Sequence, residues 1–219
     1  MMDYAITGIY RSGTTLCYNI LYKLLQESTG INAVETPTGV KIGDINIHKY
    51  HEQVVDLDMT KYKSIYCYRD VLDCLSSFII KYDTTFEDFN LLGKNSIEFI
   101  NWMIDIDKKM SNSSGFADLC YEECIQDIDS LIEDIAFYYR INIPESFDRD
   151  QFKIENVKKI TDSRKEHSRI DNFHPKHVHN GEVGRWKSFF TVEQKSIIFN
   201  QTDYLDWKYN RYNDFYCEP

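Results

Sequence analysis

The chain has 219 residues, 42% hydrophobic and 15% aromatic, enough to bury one sizeable core as a single domain spanning 1–219. Its formal net charge of −10 and pI of about 5.1 argue against a broad basic face for duplex nucleic acid or a long polyanionic saccharide, and leave room for one local basic pocket. Six cysteines scattered through apolar segments, no basic leader before Asp3, and no apolar run near the roughly 20 residues of a membrane span predict a reduced, cytoplasmic protein without a membrane partner.

Ala5 to Ile9 reads as a short buried strand, Arg11 to Thr14 as a tight loop, and Cys17 to Gln26 as a helix whose apolar face is Tyr18, Leu21, Tyr22, Leu24 and Leu25. A strand, loop and helix in that order make an anion cradle, because amide groups at a helix start lack intrahelical partners and sit at the positive end of the macrodipole. Gly8 and Gly13 have the P-loop spacing, but the lysine that should follow is Thr14. The cation left to the loop is Arg11, which argues against ordinary ATP or GTP hydrolysis. A β-α turn with good capping residues and no ligand is the plain alternative.

Ile31 to Val34 is expected as a second short strand, Glu35 to Gly39 as a loop, and Asp44 to His51 as a strand that delivers His51 to the ligand-binding edge of an α/β sheet. An imidazole with an unperturbed pKa near 6.5 is mostly neutral at pH 7 and suited to take a proton from a hydroxyl. Lys63 to Tyr68 is the clearest strand, and Asp70 to Lys81 a helix with Asp70 as N-cap and Asp73 as the carboxylate three residues on. Arg69 offers a planar fork for a second anion and Ser77, two turns along, a hydroxyl; pairing of Arg69 with Asp73 is the plain alternative.

Thr84 to Met110 is expected as a long helix interrupted at Gly93, Phe116 to Tyr121 as a strand, and Asp127 to Tyr139 as a helix burying Ile128, Leu131, Ile132, Ile135 and Phe137. His167, His174, His177 and His179 fit neither a helical pair nor a zinc knuckle, so no metal is expected. Gly181 and Gly184 open a close-approach loop pinned by Trp186 and Phe190, and Val192 to Thr202 forms the last helix, packed through Ile197, Ile198 and Phe199.

Four of these segments resemble, in order, the motifs of PAPS-dependent sulfotransferases of the cytosolic and bacterial type. Arg11-Ser12-Gly13-Thr14-Thr15-Leu16 is similar to the loop that holds the 5′-phosphosulfate of 3′-phosphoadenosine 5′-phosphosulfate (PAPS), and Lys49-Tyr50-His51 to the Lys-Thr-His whose His is the general base. Arg69 to Ser77 resembles the 3′-phosphate signature, with Val71 for the usual Pro, and His179 to Thr191 the loop that lies over the nucleotide. Tyr121-Glu122-Glu123 is similar to a Tyr-Glu-Asp whose Tyr contacts the adenine.

The resemblance implies an α/β, three-layer P-loop-like fold with a central, mostly parallel sheet flanked by helices. It also implies sulfonyl transfer from PAPS to the hydroxyl of a small-molecule or saccharide acceptor, without a metal. By the same resemblance His51, Arg11 and Lys49 are catalytic, and PAPS is held by Arg11, Ser12, Gly13, Thr14, Thr15, Leu16, Arg69, Ser77, Tyr121, His179, Asn180 and Gly181. Three residues depart from the pattern: His179 and Asn180 replace an Arg-Lys pair, Leu16 stands where many members stack a Trp on the adenine, and Arg11 replaces a Lys. Glu35 is a rival base, since protein-tyrosine sulfotransferases with the same loop use a Glu after the first helix. Two other classes stay open: a degenerate protein that binds 3′,5′-ADP (PAP) without turnover, and a kinase with an aberrant P-loop.

Overall fold

The structure, a computed structural model, describes residues 3–51, 58, 61–166, 168, 170–173 and 181–212. In chain order the elements are β1 (Asp3–Gly8), α1 (Thr14–Thr29), β2 (Val34–Thr36), β3 (Gly39–Ile42), β4 (Ile45–Tyr50), β5 (Tyr62–Tyr68), α2 (Val71–Tyr82) and α3 (Ser96–Ser111). They continue as β6 (Phe116–Cys120), α4 (Tyr121–Cys124), α5 (Ile128–Tyr139), a 3₁₀ turn (Asp150–Phe152), α6 (Ile154–Ser163), α7 (Trp186–Phe189), α8 (Val192–Gln201) and α9 (Tyr204–Tyr212). Two compact units result: Met1–Tyr68 with Ser114–Gly181, and Arg69–Ser113 with Glu182–Pro219.

The first unit holds the sheet, in the order β2-β3-β4-β1-β5-β6. Strands β4, β1, β5 and β6 run parallel, and β2 and β3 are antiparallel additions at one edge. Because strand side chains alternate between faces, Ile6, Ile47, Ile65 and Cys67 point to one face and join a core with Tyr18, Leu21 and Leu25 of α1 and Leu131, Ile132 and Ile135 of α5. Each fully buried side chain of this size contributes about 1.5–3 kcal/mol. Two tyrosines fix α5 to the strands: the Tyr139 hydroxyl donates to the Ala5 carbonyl and that of Tyr138 to the Ser64 carbonyl, both at 2.8 Å. The α/β class, with a central mostly parallel sheet flanked by helices, is as expected.

In place of a strand at Ile31 to Val34 and a loop to Gly39, the chain makes a hairpin, with Thr36 opposite Gly39 across the two-residue turn Pro37-Thr38. A Cβ at position 39 would meet the Ile47 carbonyl at 2.0 Å, so a side chain there would push β3 off β4. Phe137, expected in the core, is 87% exposed, because the buried stripe of α5 is Ile128, Leu131, Ile132, Ile135, Ala136 and Tyr139.

In the second unit the Asp70 side chain caps α2 by accepting from the Leu72 amide at 2.9 Å. The long helix expected from Thr84 starts instead at Ser96, where Asn95 and Glu98 form a capping box. Thr191 and Gln194 cap α8 in the same way; of its three expected core residues Ile198 is fully buried, whereas Ile197 is exposed. Helix α9 has no counterpart in the expectations and is held by two buried carboxylates. Asp70 accepts from the Tyr204 hydroxyl at 2.8 Å and Lys208 at 2.7 Å, and Asp107 from the Trp207 indole at 2.8 Å with Arg211 at 3.1 Å. No described helix is long and apolar enough to cross a membrane.

Candidate active site

In the first unit, β1 ends at Gly8 and α1 begins at Thr14, and the loop between them is tightly determined. A Cβ on Gly8 would lie 2.2 Å from the Cys67 carbonyl of the neighbouring strand. Arg11 has a left-handed φ of 66°, a conformation that costs a non-glycine residue about 1–2 kcal/mol and persists where the surroundings enforce it. Ser12 is buried and its hydroxyl donates to the Ile9 carbonyl at 2.7 Å, so that group closes the turn. Gly13 is the N-cap of α1 at φ 89°, and a Cβ there would sit 2.6 Å from the Tyr121 ring. The demand for glycine thus comes both from the left-handed backbone and from Tyr121, which packs on the loop. Thr14 and Thr15 are buried in the first helical turn, where amides have no intrahelical acceptors, and Leu16 packs against the core.

Strand β4, parallel to β1, brings Lys49 and His51 to the same edge. The Lys49 ammonium donates to Thr15 Oγ1 at 2.6 Å, which sets a cation at the helix start although Thr14 occupies the P-loop lysine position. His51 Nδ1 lies 3.1 Å from the Gly8 carbonyl and the ring stacks on Tyr10, with centroids 4.6 Å apart. A carbonyl only accepts, so Nδ1 carries the proton and Nε2 keeps its lone pair. Burial, then the charge of Lys49, lower the His51 pKa to about 3 against the pull of the Gly8 hydrogen bond; Arg11 adds to the lowering. Glu35, the rival base, is exposed on edge strand β2.

Within the second unit Arg69 and Ser77 are both buried. The Arg69 guanidinium donates to the Glu182 carbonyl at 3.0 Å and lies 3.8 Å from Asp73. Asp73 accepts from the amides of Gly184 at 2.7 Å and Trp186 at 3.1 Å. The expected role of Asp73 as a helix-capping carboxylate is therefore replaced by a long-range one: with Arg69 it holds the Glu182 to Trp186 turn. Burial, then the neighbouring Asp70 charge, raise its pKa, opposed by Arg69 and the two amides. Trp186 and Phe190 are buried in this unit, as expected.

The sequence matches the sulfotransferase domain family over residues 45–203, more than half of the chain. The chain belongs to that family. Its fold is that of solved sulfotransferase-type structures. It is similar to retinol dehydratase in complex with androsterone and the inactive cofactor PAP, at 13% identity and a TM-score of 0.61, covering 99% of this chain and 82% of that one. It is also similar to mouse sulfotransferase SULT7A1 complexed with PAP, at 15% identity and a TM-score of 0.59, covering 91% and 83%. No curated protein sequence matches the chain.

The family match begins beyond the loop, so in this sulfotransferase the Arg11 to Leu16 assignment rests on the motif and on the geometry around Gly8 and Gly13. His179 and Asn180, with His167, His174 and His177, lie outside the described residues. Gly181 belongs to the first unit and packs against Ile154 and Ile125. Sequence reasoning missed Tyr10, which has no motif to mark it, and the Lys49 to Thr15 contact, which needs two elements in register.

Proposed function

We propose that this sulfotransferase uses PAPS as donor and transfers its sulfonyl group in line to an acceptor hydroxyl, with His51 as general base. The observation that carries the reading is the Nδ1–H of His51 bonded to the Gly8 carbonyl, which leaves Nε2 as a proton acceptor beside the loop. PAPS, when bound, supplies a sulfonyl group activated by attachment to a phosphate leaving group. The donor set fits such an anion: Arg11, Lys49 and the first amides of α1 offer positive potential in one unit, and the buried Arg69 fork with Ser77 is our assignment for the 3′-phosphate in the other.

His51 removes the acceptor proton through Nε2. Arg11, Lys49 and the Gly13 to Thr15 amides stabilise charge growing on the leaving oxygen, where one well-placed donor contributes about 10²–10³ in rate. An imidazole with its pKa lowered to about 3 is a weak base, and an anion beside Lys49 and Arg11 offsets the two charges that help to depress it. The acceptor is a small molecule with a hydroxyl; androsterone and retinol, present in the complexes of the similar retinol dehydratase, are the first to try, followed by phenols and sugars.

Transfer from PAPS to such a panel is the test. His51→Gln is expected to keep PAP affinity within about threefold and to lose at least 10²-fold in kcat. Wild-type turnover in the variant removes His51 from the role. Leu16 in place of a stacking Trp, with His179 and Asn180 in place of an Arg-Lys pair, favours a second reading, a PAP-binding protein without turnover, which predicts binding and no transfer to any acceptor.

A further inference from the structure

At the amino end of β5 lies an open pocket of about 590 Å³, lined by Lys63, Ala136, Tyr138, Asn142 and the 87% exposed Phe137, with Arg140 at the C-cap of α5. It is wholly within the first unit and separate from the loop. Lys63 is paired with Tyr4 and Cys67 with Gly8, so four residues of strand, roughly 13 Å, lie between them.

Cations in a chain of net charge −10 generally find carboxylates, as Arg149 does with Asp129 and Glu133 on the same helix α5. Among the described residues neither Lys63 nor Arg140 forms an ion pair; Lys63 instead lies 5.1 Å from the Tyr138 ring centroid and 5.8 Å from that of Tyr139. The half-buried Lys63 and the exposed Arg140, beside an aromatic ring held in solvent, together offer an anion two positive groups and a ring an apolar face. We propose that this pocket binds a small aromatic phosphate monoester, with its dianion held by Lys63 and Arg140 and its ring against Phe137.

The chemistry is consistent on each count. A guanidinium matches two phosphate oxygens at once, and an ammonium adds a point charge. Partial burial and the nearby Arg140 charge lower the Lys63 pKa, and a bound dianion relieves the repulsion between the cations. A ring seated on Phe137 covers apolar surface that otherwise faces water.

The test is calorimetric titration of the full chain with phenyl phosphate and with inorganic phosphate, every protein carrying Arg11→Gln to weaken anion binding at the loop, so that binding which responds to the pocket substitutions is assigned to the pocket. Lys63→Gln and Arg140→Asn are each expected to weaken phenyl phosphate at least tenfold; Asn tolerates the left-handed φ of 59° at position 140. Phe137→Ala, at an exposed position, is expected to bring phenyl phosphate down to the affinity of inorganic phosphate while leaving the latter unchanged. The proposal is overturned if the Arg11→Gln protein shows no phenyl phosphate binding at millimolar concentration, or if binding is indifferent to all three pocket substitutions.

Discussion

His51 is folded as a neutral ring, and that choice has a thermodynamic consequence independent of any catalysis. Its folded pKa is about 3 against an ordinary 6.5, chiefly through burial, so above pH 6.5 both folded and unfolded states leave it uncharged and stability is at its full value. As the pH falls below 6.5 the unfolded chain takes up a proton that the folded chain refuses, and stability drains away until about pH 3. At 1.36 kcal/mol per pH unit the loss between pH 7.5 and pH 5 is about 2 kcal/mol. Urea unfolding at the two pH values should show this difference in wild type and a correspondingly smaller one in His51→Gln. An identical pH dependence in the two proteins would mean that the ring is not buried neutral. The residue was legible from its position after an alternating strand, but the hydrogen bond that selects its tautomer was not, since Gly8 is 43 residues away.

At the scale of elements, two helix starts were readable from local chemistry, with Asp70 before α2 and Asp127 before α5 accepting from amides two or three residues on, whereas the capping box of Asn95 and Glu98 before α3 was passed over. Helix α9 was unreadable for the converse reason. Its anchors Asp70 and Asp107 are 134 and 100 residues from the Tyr204 and Trp207 side chains they hold, and nothing in the local pattern of Tyr204–Tyr212 announces them. Asp73 was misread because a carboxylate three residues past an N-cap looks local, whereas its oxygens are taken by Gly184 and Trp186. Removing it leaves two amides without their acceptor and takes the carboxylate away from the buried Arg69. Asp73→Ala should therefore cost about 3–5 kcal/mol, and Asp73→Asn less, because the amide oxygen still accepts one bond. Denaturant titration of both variants checks the order; equal, sub-kilocalorie losses would mean that the turn is held by Trp186 and Phe190 packing alone.

For the whole molecule, composition bounds the class of partner but says little about the contacts. A net charge of −10 argues against a broad basic face, yet the chain keeps Arg11, Lys49 and Arg69 at the positions that the family reading assigns to an anion. What composition could not disclose is how those cations are occupied beforehand, Lys49 by Thr15 and Arg69 by Glu182 and Asp73, because that depends on register and long-range turns. The same contrast makes a kinetic prediction. A multiply charged nucleotide such as PAP approaches through the field of all the acidic groups, which at low salt reaches far beyond the pocket, and meets the local cations only on arrival. Raising ionic strength from 10 to 150 mM shortens the Debye length from about 30 to about 8 Å, which screens the distant repulsion more than the close attraction. Stopped-flow binding of PAP should show an association rate that rises with salt while the dissociation rate also rises. An association rate that falls steadily over that range would mean that the local cations govern the encounter and that the acidic surface is turned away from the path of entry.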